Sequence, residues 1–278
     1  IQVVILYPSG KVSDIQEKQI TSLGQNISAL EVQGTFDDCQ AMVKNAFLDK
    51  DITKKIQLTS ANSINVARWL PQMFYFFFAY KKLYKTHKDI VFSVPSGNFG
   101  NVCAGMMAQQ LGLPIKHFIA ANNDNNVVTK YLKTQLYAPV KSVQTISNAM
   151  DVGDPSNFIR IQEIYKNKFD SLQKNLSSFS FNNNQTRKAM FDIYTKHGYV
   201  ADPHGAVGYL GCKAYLEKNT RAHCVFLETA HPTKFLDVVE DVVKTKQALP
   251  KQIQAVIANK KVATTISNYS DLKAFLLL

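Results

Sequence analysis

The sequence predicts an α/β protein with parallel or mixed sheet covered by helices on both faces. Short apolar, β-branched runs alternate with stretches of helical period over residues 2–7, 13–24, 29–32 and 35–47. Such β-α-β-α order with short connections builds parallel sheet. Residues 89–94 (DIVFSV) are near-continuously apolar, the pattern of a strand buried on both faces. The 278 residues, 46% hydrophobic and 19% charged, suffice for about two domains or one large one and lie outside the disordered classes.

In chain order, residues 2–7 predict a strand that ends in a Pro-Ser-Gly turn before a helix. Residues 29–32 predict a second strand, and Thr35 a helix cap ahead of Cys39, Met42, Val43 and Phe47. A short strand is expected at 56–60, then a long apolar helix. Its aromatic run, Phe74 to Phe78, reads either as a base-stacking platform or as a buried core helix; the core reading is the expectation. After the 89–94 strand come a small-residue helix ended by Gly112 and a strand at IKHFIAAN. Residues 157–195 read as polar helices with a soft linker at 177–185. DPHGAVG opens another helix, HCVFLETAHPTKF reads as strand, turn and helix start, and the tail from Ile253 as a strand and a closing helix. Residues 1–52 are expected to belong to a smaller mobile domain and 53–278 to a large ligand-binding domain.

Several function classes are disfavoured. The longest apolar stretch, 64–80, is interrupted by Asn65, Arg68, Pro71 and Gln72, short of the roughly 18 or more apolar residues of a membrane span. Cys39, Cys103, Cys212 and Cys224 form neither a CxxC pair nor a zinc pattern, which fits separate thiols in a cytoplasmic protein. The net charge of +11 suits anionic ligands. Its lysines are scattered, with the densest patch at 81–88, so a solvated helix end is favoured over a nucleic-acid site.

The strongest motif is Ser96-Gly97-Asn98-Phe99-Gly100-Asn101, placed between the buried strand and the small-residue helix. A helix N-terminus presents unpaired amides and a positive dipole end, and glycines let a phosphate approach the backbone. The loop is neither a Walker A nor a dinucleotide GxGxxG.

SVPSGNFGNVCAG is followed in order by GLPIKHFIAANNDNN, TISNAMDVGDPSNFIRI, DPHGAVG and ETAHPTKF, and preceded by VVILYPSGKVSDIQEKQ, FDDCQAMVKNAF and SANSINVARWLPQ. This series resembles the threonine synthase family over nearly the whole chain. The resemblance implies a fold type II pyridoxal-phosphate enzyme, tryptophan synthase β-like, converting O-phospho-L-homoserine and water to L-threonine and phosphate. It implies that Ser96, Gly97, Asn98, Phe99 and Gly100 cradle the cofactor phosphate and that Thr229 faces the pyridine nitrogen. Ser63, Asn65 and Arg68 are candidate substrate contacts. Ser63 or its neighbour Asn62 also reads as a helix cap, and Arg68, if buried, needs an anion, either a structural carboxylate or the substrate phosphate. His204 and His231 are neighbours suited to proton transfer or to bracing turns. Asn148, Asp151 and Asp154 are assigned structural support, and the asparagine run at 122–126 a place lining the cleft.

The family's Schiff-base lysine lies in a Phe-Lys-Asp context ahead of the matched region, and Lys234 is not its counterpart. The catalytic lysine is therefore unassigned here, and a C-terminal portion, inactive alone, is expected. The alternatives are another fold type II lyase of the dehydratase kind, or a noncatalytic module binding a phosphorylated ligand. Neither a nucleic-acid nor a membrane partner is expected, and no metal.

Overall fold

The computed structural model describes residues Ile1–Leu278. In chain order its elements are β1 (Val3–Pro8), α1 (Asp14–Thr21), β2 (Ile27–Val32), α2 (Phe36–Leu48), α3 (Lys50–Thr53), α4 (Trp69–Leu83), β3 (Ile90–Pro95), α5 (Gly100–Gln110), β4 (His117–Asn122) and α6 (Val127–Thr134). There follow α7 (Phe158–Ile164), α8 (Phe169–Asn175), β5 (Leu176–Ser180), α9 (Asn183–His197), α10 (Pro203–Leu216), β6 (His223–Phe226), α11 (Leu236–Val243), α12 (Lys251–Ile257), β7 (Thr264–Ile266) and α13 (Tyr269–Leu277). No helix is long and apolar enough to cross a membrane.

The chain divides into two compact units. The first comprises Ile1–Thr59, Thr233–Leu236 and Thr245–Leu278 and holds a parallel three-stranded sheet in the order β1-β2-β7. Thr35 caps α2 through a reciprocal pair with Asp38, as its position ahead of an apolar stripe predicts. The core here is Leu30, Val32, Cys39, Met42, Ile266 and Leu272.

The second unit, Ser60–Pro232 with Asp237–Lys244, holds a parallel four-stranded sheet in the order β5-β4-β3-β6. Every residue of β3 and β4 is buried, because helices cover both faces. On one face Phe92 and Phe118 pack edge-on against Phe76 of α4, at ring-centroid distances of 5.0 and 6.1 Å. Side chains alternate across a strand, so Ser93 points to the other face, where its hydroxyl donates to the Gly208 carbonyl of α10 (2.7 Å).

Four expectations change. Residues 56–60 form no strand; only Ile56, Leu58 and Ser60 are even partly shielded, so no buried sheet edge is completed there. The polar 177–185 stretch is no linker: it contains β5, paired with β4, and the cap of α9, Asn182. Its serines look solvent-bound in sequence, yet Ser178 Oγ donates to Asn122 Oδ1 (2.9 Å) inside the fold. The tail does not join the larger unit, because β7 pairs with β2 (Leu30 opposite Thr264) and returns Thr245–Leu278 to the first. The 64–80 helix is only half core: Trp69, Met73 and Phe76 are buried, while Leu70, Phe74, Phe77 and Phe78 are exposed.

Candidate active site

Three strand ends meet at one edge of the larger sheet. β3, β4 and β6 run parallel, with Ser93 opposite both Ile119 and Phe226. The 96–100 loop, the 122–126 asparagine run and Leu227, Glu228 and Thr229 therefore leave the same side, the carboxyl edge at which open α/β sheets bind ligands.

The 96–100 loop is tightly built. Ser96 N–H donates to the Ala121 carbonyl (2.9 Å), its hydroxyl to the Val94 carbonyl (2.8 Å), and the Asn122 amide to the Ser96 carbonyl (2.6 Å). The Ser96 side chain is thus turned onto its own strand. A Cβ on Gly97 would lie 2.6 Å from the Met150 Cα, and one on Gly100 would lie 2.7 Å from the Ser63 Cβ, so neither position admits a side chain. Phe99 takes the left-handed conformation (φ 63°) and buries its ring edge-on against Phe158 (5.9 Å), which anchors the turn.

α5 begins directly after this turn with no side-chain cap and no acidic residue in its first turn. Its first amides have no intrahelical acceptor. Main-chain donors, a positive dipole end, no competing carboxylate and a backbone wall that only glycine fits together suit a phosphate group.

Asn98 and Ser63 tie the neighbouring segments to the loop. Asn98 Oδ1 accepts from the Ser156 N–H (2.7 Å) and hydroxyl (2.9 Å). Ser63 Oγ accepts from the amides of Asn98 (3.2 Å) and Asn157 (3.1 Å). Asn65 is occupied as a cap, accepting from the Ala67 N–H (3.0 Å). Arg68 is exposed, which removes the premise of a buried cation needing an anion. The arginine that does brace this corner is Arg160, which donates to the Ser63 and Ile64 carbonyls (2.8 and 2.6 Å) and to Asn157 Oδ1 (2.8 Å), its guanidinium 5.4 Å from the Trp69 ring centroid. It is the one cation of the TISNAMDVGDPSNFIRI motif, and that isolation was its only signal in sequence.

Asp151 lies behind the Met150 wall. Its carboxylate accepts from the Thr145 hydroxyl (2.7 Å) and N–H (2.8 Å) and from the amides of Asn123 (2.8 Å) and Asn125 (3.1 Å). Burial pushes it up to about 6, against the pull of the Thr145 and Asn123 hydrogen bonds. Asp154 accepts from the Tyr137 hydroxyl (2.9 Å), and the asparagine run is spent on this bracing network.

Thr229 and His231 are exposed, whereas His204 is buried and places Nδ1 2.6 Å from Asp202 Oδ1. Asp202 caps α10 through the His204 N–H (2.8 Å). Burial alone would raise it; hydrogen bonds from His204 and from Glu228 hold it below the usual carboxylate range. Glu228 is pushed up to about 9 by desolvation and by the adjoining Asp202 carboxyl. Sequence reading passed over Asp202, Glu228, Asn157 and Arg160.

The model of the pyridoxal-phosphate dependent enzyme family matches residues 1–229, and that of the threonine synthase C-terminal region matches 205–276. The chain is 43% identical to the threonine synthase of Buchnera aphidicola from Acyrthosiphon pisum, covering 100% of this chain and 64% of that one. It is 42% identical to that of Escherichia coli K12, covering 91% of this chain and 58% of that one. Among solved structures, threonine synthase from Escherichia coli superposes with a TM-score of 0.94 at 38% identity, over 99% of this chain and 64% of that one. Pyridoxal-phosphate-bound threonine synthase from Brucella melitensis gives 0.84 at 31% identity, over 99% and 64%. The chain spans about 64% of the length of the first curated relatives it matches. With a family match running from residue 1 to residue 229, through the glycine loop and as far as Thr229, the chain belongs to the pyridoxal-phosphate dependent enzymes.

Proposed function

We propose that these residues form the cofactor-phosphate and ring-facing part of a threonine synthase acting on O-phospho-L-homoserine and water in the cytoplasm. The observation that carries the reading is the uncapped start of α5 behind Gly97 and Gly100, both walled at under 3 Å from any added Cβ. Similarity to threonine synthases along the whole chain supports the choice of reaction within the family.

Pyridoxal phosphate, when bound, supplies the electron sink that makes substrate carbons acidic. The amides at Gly97 to Gly100 would hold its phosphate. Thr229 would offer the ring nitrogen a neutral hydroxyl in place of a carboxylate, a partner that would not keep that nitrogen firmly protonated. Ser63, fixed between Asn98 and Asn157, and Asn65 hold the turn on which the substrate lies. Arg68, exposed at the head of α4, is open to the substrate phosphate. A Phe-Lys-Asp lysine has no counterpart among these residues; on this reading they bind the cofactor without the covalent link and do not turn over alone.

The test is product analysis on the full-length protein that carries these residues, purified from its natural source. Threonine and inorganic phosphate formed from O-phospho-L-homoserine is the expected result. Ammonia and a keto acid formed from serine or threonine, with no phosphate release, would replace the reading with a dehydratase.

A further inference from the structure

Glu228 and Asp202 have no part in the chemistry above. Asp202 is fully buried. Its Oδ1 receives both the His204 N–H and Nδ1, while its Oδ2, also buried, receives no hydrogen bond from any nitrogen or hydroxyl. The group within hydrogen-bonding reach of that carboxyl is Glu228. Although Glu228 is exposed overall, its carboxyl lies over Gly205 in the first turn of α10. A Cβ on Gly205 would sit 2.2 Å from Glu228 Oε1 and 2.3 Å from both Cδ and Oε2. Gly205 therefore leaves a seat for the glutamate head-group that any other residue would fill.

Two adjoining carboxyls cannot both ionise cheaply, and a buried oxygen with no donor is costly. One proton answers both conditions: carried by Glu228, it is donated to Asp202 Oδ2. Glu228 directly precedes Thr229, so this hydrogen bond fixes the chain at the end of β6 against α10. Resting on the reading of Thr229 given above, we propose that Glu228 is a positioning residue for the Thr229 hydroxyl, holding it through one proton shared with Asp202 across Gly205. The other titratable groups facing this pair are Tyr199, which hydrogen-bonds Glu228, and His204 on Asp202, with Asp151 beyond it, close enough to feel His204.

The direction with pH follows from linkage. Glu228 holds its proton more tightly folded than unfolded, where it titrates near 4.3. The folded state therefore loses stability as pH rises from about there toward about 9. Glu228→Gln keeps a neutral donor to Asp202 and does not titrate. Its melting temperature should match the wild-type chain near pH 4.5 and exceed it by about 3 °C or more at pH 9. In the same samples, the Thr229 amide resonance of the wild type should shift with a midpoint well above 5, and stay fixed at its low-pH position in Glu228→Gln. Gly205→Ala, which expels the carboxyl, should abolish the Thr229 step without restoring that position.

Parallel melting profiles for wild type and Glu228→Gln would overturn the shared proton. A Thr229 resonance that ignores Glu228 ionisation would overturn the positioning role. Neither readout uses pyridoxal phosphate; the cofactor reading fails separately, through unchanged cofactor content in Gly97→Asp.

Discussion

The tripeptide Pro-Ser-Gly ends a parallel strand twice, as Pro8-Ser9-Gly10 after β1 and Pro95-Ser96-Gly97 after β3. In each turn the serine N–H donates across to the next strand, to Val32 and to Ala121, both at 2.9 Å. From there the two diverge. Gly10 has φ +64° with nothing within 4 Å of an added Cβ, and α1 beyond it starts with a Ser13–Gln16 capping box and Asp14 and Glu17 in its first turn. Gly97 is walled by Met150, and α5 beyond it starts uncapped and without acid. A strand-end glycine alone therefore does not favour an anion; on the proposed reading, the second turn does so because its helix is left unsatisfied and its glycine is walled. The first turn spends its helix amides on its own side chains, and the second leaves them without a side-chain partner.

The sharpest break of this contrast is Gly97→Asp. A carboxylate about 4 Å from a bound phosphate costs about 4 kcal/mol at an effective dielectric near 20, so pyridoxal-phosphate affinity should fall about a thousandfold. Gly10→Asp should leave it unchanged, and equilibrium dialysis measures both. Gly97→Ala separates charge from crowding, costing stability of about 1–3 kcal/mol with the smaller affinity loss. Next is Arg160→Met, which removes three charge-assisted hydrogen bonds from the Ser63 corner. A loss of about 3 kcal/mol in urea unfolding is expected, with nothing comparable for the solvated Arg68→Met.

Asp151 tests the wall from behind. Its carboxyl is held above the ordinary value, to about 6, so the folded chain binds that proton more tightly and loses stability as pH climbs from about 4 to 6. Asp151→Asn should flatten that stretch of the stability profile by about 2 kcal/mol after allowance for its partial exposure. An unchanged slope would place the Asp151 charge in water rather than behind Met150.

Much of this contrast was legible in the chain, and the rest was not, for identifiable reasons. Strand–loop–helix order located the 96–100 loop because buried strands, glycines and small-residue helices leave local patterns. Thr35 was legible as a cap for the same reason. β5 was not: Leu176–Ser180 is rich in serine, and its serines satisfy buried partners such as Asn122 that lie far off in sequence. Arg160, Asp202 and Glu228 were missed because each acts through a contact made only in the fold, with Ser63, His204 and Gly205. Arg68 reads as buried because it stands in an apolar run, yet at the head of α4 it is exposed.

The smallest effect addresses the capped turn itself. Ser13→Ala removes the side chain that accepts from Gln16 N–H in α1, and loss of such a cap costs about 1 kcal/mol. If uncapping were sufficient to make an anion site, inorganic phosphate added to this variant would shift the amides that follow Gly10. It should not, because Asp14 and Glu17 remain in the first turn and repel an anion from the amides that the lost serine exposes. The amides from Gly97 to Val102 should shift in both proteins, since nothing in their turn has changed. Phosphate-induced shifts at both helices in Ser13→Ala would mean that capping alone divides the two turns. Shifts at α5 only would mean that first-turn charge and the Met150 wall are needed as well, and that a phosphate site must be recognised by what its helix lacks over a whole turn.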